Sequence, residues 1–312
     1  LVIGDAGNFR LQKIALTGSA LWTMGDEPNK FKNPEDLALD SVGNIYILDQ
    51  GHARVQKYST NGTWLASWGS RGNQAGQLAN LEKMTINPMN DRVYIQDSYS
   101  IDAKSVQRTQ IFNTDGVFLG VYESTLPSFD AKGNSYQIVL NSKDPTTDDS
   151  SYYNYIFDLQ KIDINADLIK EWKIRGEESR QCMSPSFCQL TNYGPIASSL
   201  AVSSKSDIYY LSYYEDNFGY YLSLNKQNPL SDKPEVLVER VQAVGVANLL
   251  VDKHDFIYMG FFEDRYNPNI SGRRMAVYNE ASELIGYIYQ TFNYPNPPYD
   301  HGYVASAVDK LN

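Results

Sequence analysis

The feature that most constrains this chain is a repeat of four short apolar runs. Residues 34–69 read PEDLALDSVGNIYILDQGHARVQKYSTNGTWLASWG. Apolar runs at 37–39, 45–48, 55–58 and 64–68 are divided by turns at 41–44, 49–52 and 60–62 that contain Gly or Asn, residues tolerant of positive φ. Short runs separated by tight turns predict an antiparallel meander of four strands.

The order recurs. Residues 84–122 give an apolar run, a turn, VYIQD, a loop, an Arg, QIF, an Asn-Thr-Asp-Gly turn and FLGVY. Residues 128–173, 199–240 and 246–288 are looser copies. Residues 1–25 match strands two to four of the pattern, and YVASAVDKLN at the other end supplies the missing first strand, with Ala307, Val308 and Asp309 matching Ala38, Leu39 and Asp40. A period of 40 to 50 residues with four strands each is the mark of a β-propeller. The expected fold is all-β: one domain, residues 1–312, of six four-stranded blades. One blade is shared by 1–25 and 301–312, which closes the ring and leaves no open edge.

The motif Asp40-x-x-Gly43-Asn44-Ile45-Tyr46-Ile47-x-Asp49, followed by Arg54-Val55-Gln56-x-Tyr58, resembles the NHL repeat. Residues 34–69 match it well, 5–25 and 84–122 fairly, and the later copies loosely. The resemblance implies a propeller similar to receptor-kinase sensor domains, extracellular adhesion modules, RNA-binding ligase subunits and a peptide-amidating lyase. Fold alone does not choose among these.

Asp pairs with Arg in three copies, as Asp5 with Arg10, Asp49 with Arg54 and Asp97 with Arg108. Arg can hold a carboxylate by two parallel hydrogen bonds. Three copies point to braces for the loops rather than to a substrate site. Asp40, Asp252 and Asp309 each precede a turn and are expected to stabilise it. Trp22, Trp64 and Trp68 fall in outer strands, where packing between blades is their expected role.

The amidating lyase of this fold holds zinc with histidines at the channel mouth. The chain has three histidines. His254 lies in a turn, whereas His52 and His301 could share one face. Glu35 and Asp36 offer oxygen ligands to calcium or magnesium. These four residues form the weaker metal reading, with a divalent ion, calcium or zinc, as its cofactor; the leading reading takes no cofactor. No nucleophile elbow, phosphate loop or His-Glu-x-x-His motif is present, so no catalytic residue is assigned.

Cys182 and Cys188 are the only cysteines and lie in RQCMSPSFCQ. A disulfide between them is favoured over free thiols or a two-thiol metal site, and implies an oxidising compartment. Sequons at Asn61 and Asn269 are compatible with an extracellular or periplasmic location. No run approaches the roughly 20 apolar residues that span a bilayer. A formal charge of −10 argues against nucleic acid as a partner.

Long segments at 97–108, 141–155, 175–196, 263–274 and 292–303 read as loops of one face, carrying Tyr99, Tyr152, Tyr153, Tyr193, Tyr266, Tyr294 and Tyr299. Tyr joins apolar area to a polar tip. The expected function is a non-catalytic binding or scaffold module, secreted or at the cell surface, holding a protein or glycan on that face. The alternative is a metal-dependent lyase or hydrolase at the channel mouth.

Overall fold

The computed structural model describes residues 2–5, 10–15, 19–25, 31–122, 126–144, 152–163, 165, 167–184, 187–216, 219–242, 245–252, 254–262, 273–290 and 306–307. The chain divides into two compact units, 1–133 with 294–312, and 134–293.

In the first unit, β1 (Val2–Asp5), β2 (Arg10–Ile14) and β3 (Ala20–Met24) form one sheet with β24 (Ser306–Ala307) beside β1. Val2 lies opposite Ala307 and Ile3 opposite Ser306, so strands from the two ends of the sequence share this sheet. β4 (Pro34–Leu39), β5 (Ile45–Asp49), β6 (Arg54–Tyr58) and β7 (Trp64–Trp68) make a second meander. β8 (Asn80–Ile86), β9 (Val93–Ile101), β10 (Lys104–Phe112) and β11 (Phe118–Tyr122) make a third.

β5 explains why IYILD is a continuous apolar run. Every residue of it is buried, and successive side chains point to opposite faces. Ile45 and Ile47 join Val2, Leu11 and Leu37 in one core. Tyr46 and Leu48 join Leu81, Met84, Ile95 and Phe112 in the next. A strand sandwiched between two cores cannot show the apolar–polar alternation of a half-solvated sheet.

The second unit departs from the expected pattern. After β12 (Ser128–Phe129), which belongs to the first unit, β13 (Ser135–Asp144), β14 (Tyr152–Ile162), β15 (Leu168–Ser184), β16 (Phe187–Val202), β17 (Ile208–Asp216), β18 (Gly219–Gln227) and β19 (Glu235–Gln242) run in order through one sheet. β20 (Gly245–Val251), β21 (Ile257–Phe262), β22 (Arg273–Tyr278) and β23 (Leu284–Gln290) form a separate four-stranded sheet. The expectation of six separate blades is therefore corrected: the described residues form five sheets. The cause lies in 175–196. This stretch reads as a connection because it is polar and contains Pro185. Instead β15 and β16 pair from Glu177↔Tyr193 to Ser184↔Phe187 and fuse what would have been two blades. Thr191, Tyr193 and Phe187 supply the β-favouring side chains that the polar composition obscures.

Trp68 packs on Phe112 with ring centroids 4.8 Å apart, and Trp22 rests against the first core, as outer-strand packing requires. Trp64 instead stands 57% exposed. Among the described residues no helix is long and apolar enough to cross a membrane.

Candidate functional site

The repeated acids and arginines brace loops. Asp97 is fully buried, and its carboxylate accepts Arg108 Nε at 2.9 Å and Nη2 at 3.0 Å. The same guanidinium donates to the carbonyls of Asn73 (2.6 Å), Gln74 (3.2 Å) and Gln77 (2.9 Å), tying the 73–77 loop to the sheet. Asp49, also fully buried, accepts Arg54 Nε at 2.9 Å and the Lys32 N–H at 2.8 Å. Arg10 lies directly opposite Asp5 in register, as Arg54 does Asp49 and Arg108 does Asp97. The turn acids repeat as well. Asp40 accepts the N–H groups of Val42 and Asn44 and the Tyr46 hydroxyl, while Asp252 accepts those of His254 and Phe256 and the Tyr258 hydroxyl. Burial, reinforced by these acids, pushes both phenols far up.

His52, on a 3₁₀ turn at Gln50–His52, places Nδ1 2.8 Å from Asp49 Oδ2, so it joins the brace. Among the described residues no three His, Cys, Asp or Glu side chains gather as metal ligands, and Glu35, Asp36 and His52 do not form such a group. His301 and Asp309 lie outside the described residues.

Asp36 has a more unusual setting. The pairing of β4 with β5 slips between Pro34 and Asp36, leaving Glu35 as an extra residue. β8 against β9 slips likewise between Leu81 and Lys83, leaving Glu82 extra. β20 repeats the irregularity between Val246 and Asn248. Such bulges re-aim the side chains around them. Asp36, Lys83 and Asn248 each stand four residues before their turn residues Asp40, Asn87 and Asp252. β4 and β8 pack together in the second core, and Asp36 Oδ2 accepts the Met84 N–H at 2.7 Å. Glu82 Oε2 accepts Gln107 Nε2 at 2.6 Å. Burial raises the Asp36 pKa to about 6, against the lowering effects of the Met84 N–H and the Lys83 charge. Burial lowers the Lys83 pKa, although Asp36 and Glu82 hold it up. The sequence reading noticed Asp36 but missed Lys83 and Glu82; the available signal was a charged pair in an otherwise apolar first strand.

The tyrosines expected on loops are largely on strands. Tyr99 is on β9, which continues with β10 to Ile101↔Lys104, and the Arg108 guanidinium lies 4.7 Å from its ring centroid. Tyr152 and Tyr153 open β14, and Tyr193 is within β16. Tyr266, Tyr294 and Tyr299 lie outside the described residues. Extension of β13 to β19 aligns residues in rows. One row runs Asp144, Asn154, Glu177, Tyr193, Tyr214, Tyr221, Gln242. The adjacent row runs Tyr153, Glu178, Asn192, Glu215, Tyr220. Neither row contains Lys or Arg. Tyr213 and Tyr220 stack with centroids 5.7 Å apart and planes 7° from parallel. The sequence reading missed Tyr213, Tyr214, Tyr220 and Tyr221 because they sit in strand-like runs. Within the β15–β16 hairpin, Cys182 is directly opposite Cys188.

No family model matches the chain. A segment is 34% identical over 84 residues to mouse (Mus musculus) NHL repeat-containing protein 3, covering 25% of this chain and 24% of that protein. The human (Homo sapiens) protein of the same name is 37% identical over 73 residues, 22% of this chain and 21% of the relative. The matched segments thus span about a quarter of these curated relatives. A solved structure of a protein of unknown function from Bacteroides caccae covers 93% of each chain, with 13% identity and a TM-score of 0.48.

Proposed function

We propose that this protein, an NHL-repeat β-propeller, is a non-catalytic binding module whose partner is a protein with a basic contact surface. The observation that carries this reading is the cross-strand row on β13–β19 in which Asp144 and Glu177 precede Tyr193, Tyr214 and Tyr221 with no Lys or Arg among them. Tyrosine offers broad contact area with a hydrogen-bonding tip, and it attracts guanidinium and ammonium groups through its ring face. Carboxylates beside it favour the same cations. The formal charge of −10 would speed encounter with a basic partner and repel nucleic acid. An oxidising, extracytoplasmic location fits the opposed cysteines.

Co-purification from the native host tests the reading. Wild-type protein should retain a partner at low salt and release it as ionic strength rises. A Tyr214→Ala, Tyr221→Ala variant, two neighbours of one row, should lose roughly 30-fold or more in affinity, the scale of one or two interface hot spots. A partner held equally by both forms would refute this surface.

A further inference from the structure

We propose that Asn61 carries an N-linked glycan whose first sugars lie against the exposed ring of Trp64. Such a modification depends on the extracytoplasmic location proposed above, and not on the basic partner.

Asn61-Gly62-Thr63 is an acceptor sequence for such a glycan, and the fold presents it outward. It occupies the turn between β6 and β7. Three bonds close this turn on Ser59. The Ser59 N–H donates to the Thr63 carbonyl at 2.8 Å, the Gly62 N–H to the Ser59 carbonyl at 2.9 Å, and the Thr63 N–H to Ser59 Oγ at 3.1 Å. Gly62, at φ +81°, supplies the left-handed residue of the turn. The sheet of β1–β3 holds the turn from one side. Lys13 Nζ donates to the Thr60 carbonyl at 3.3 Å and to the Thr60 hydroxyl at 3.2 Å, and a Cβ on Gly62 would run into Met24. Thr60 and Gly62 therefore face that sheet, whereas Asn61 and Thr63 are exposed. Among the described residues neither the Asn61 amide nor the Thr63 hydroxyl has a hydrogen-bond partner.

Trp64 begins β7, three residues beyond Asn61. Trp172 is buried, Trp22 and Trp68 are half-buried, but Trp64 stands 57% exposed. Leu65 is exposed beside it. β7 is also the end strand of its sheet, with no strand on its outer side among the described residues. An apolar ring on an open strand edge is a site for unwanted pairing with another chain. A glycan on Asn61 reaches it, since Cα atoms three residues apart are separated by at most about 11 Å. The C–H faces of pyranose rings meet the electron-rich face of an indole, and the sugar hydroxyls turn the covered patch polar.

The transfer balances with a lipid-diphosphate oligosaccharide as co-reactant. The Asn61 amide nitrogen bonds to the anomeric carbon, and the bond from that carbon to the diphosphate oxygen breaks with its electron pair. The amide gives up one proton to base, leaving an N-glycoside and a lipid diphosphate.

The test uses the full chain purified from its native host. Trypsin releases residues 58–71 as one peptide, because Lys57 precedes it, Arg71 ends it and no Lys or Arg lies between. Mass spectrometry should find on that peptide a carbohydrate increment that peptide N-glycosidase removes. Thr63→Ala breaks no side-chain hydrogen bond, and it should abolish the increment. It should also raise acrylamide quenching of tryptophan fluorescence in the folded protein, and this rise should disappear when Trp64→Phe is present in both forms. An unmodified peptide with Cys182 and Cys188 bonded to each other would overturn the glycan and leave the location standing. An unmodified peptide with free thiols would overturn both. A glycan with equal quenching in wild type and Thr63→Ala would overturn its seat on Trp64.

Discussion

Replacing Arg108 by Ala should be among the most destabilising single changes in the first unit. The magnitude follows from what it abandons. Asp97 is fully buried, and it would lose both guanidinium bonds, at 2.9 and 3.0 Å. It would keep the Ala79 N–H at 2.9 Å and a long contact to Gln110 Nε2 at 3.4 Å. Removing one partner of a buried ion pair costs about 3–5 kcal/mol, because the remaining charge stays out of water. The two surviving donors place the expected loss near the lower end, about 3–4 kcal/mol. Arg54→Ala supplies the internal comparison. Its side chain is 30% exposed, and Asp49 would retain Lys32 N–H at 2.8 Å, His52 Nδ1 at 2.8 Å and Gln56 Nε2 at 3.2 Å. That change should cost about 1–2 kcal/mol. Trp22, Trp64 and Trp68 are three of the four tryptophans, so fluorescence in a urea titration reports mainly on this unit. With a slope of about 1–3 kcal/mol per molar urea, Arg108→Ala should lower the midpoint by at least about 1 M. Adding Asp97→Asn should restore part of the loss, because an amide carries no buried charge. If Arg108→Ala costs less than about 1 kcal/mol, or no more than Arg54→Ala, the buried-brace reasoning is wrong.

Three further outcomes are expected. The Asp36 pKa of about 6 in the folded chain exceeds the ordinary 3.8, so stability from this group is full below pH 4 and falls as pH rises through 6; the loss of up to about 3 kcal/mol should vanish in Asp36→Asn, as pH-dependent urea midpoints will show. Gly116 has φ +83°, and a Cβ there would run into the Trp68 ring; Gly116→Ala should cost about 1–3 kcal/mol in the same titration. Cys182 and Cys188 should resist alkylation until reduced, and reduction should cost less than the roughly 3 kcal/mol of a 15-residue loop; alkylation of both in unreduced protein would disprove the bond.

The meander was legible because it depends on local chemistry. Turns such as 41–44 need Gly and a turn acid, and Asp40 does hold the N–H groups of Val42 and Asn44. Asp49–Arg54 was readable for the same reason, since the pair sits at the end of its hairpin, whereas Asp97–Arg108 was readable from its repetition although it lies within a ladder that runs on to Ile101↔Lys104. The separation into blades was not. Whether a polar stretch becomes a loop or a hairpin depends on partners supplied by neighbouring strands, and β15–β16 extends alongside β14 and β17. This is also why Tyr193 was assigned to a loop, and why Tyr214 and Tyr221, its row neighbours, went unnoticed. Lys83 was hidden by a third cause. A bulge changes register by one residue, and the charged pair Glu82-Lys83 in an apolar strand was its one sign in the sequence.

Site-specific photo-crosslinking tests the binding proposal most directly. Benzoylphenylalanine would replace Tyr221 in the tyrosine row, Val42 in a tight turn, or Leu119 in the outer strand β11, each in protein expressed in the native host. Val42 and Leu119 are exposed controls, at 72% and 49%. The account predicts a discrete covalent adduct from position 221, identified by mass spectrometry as a protein whose crosslinked peptide is rich in Lys or Arg, and none of that species from 42 or 119. The same adduct from position 42 or 119 with none from 221, or an adduct at 221 to an acidic surface, would contradict it.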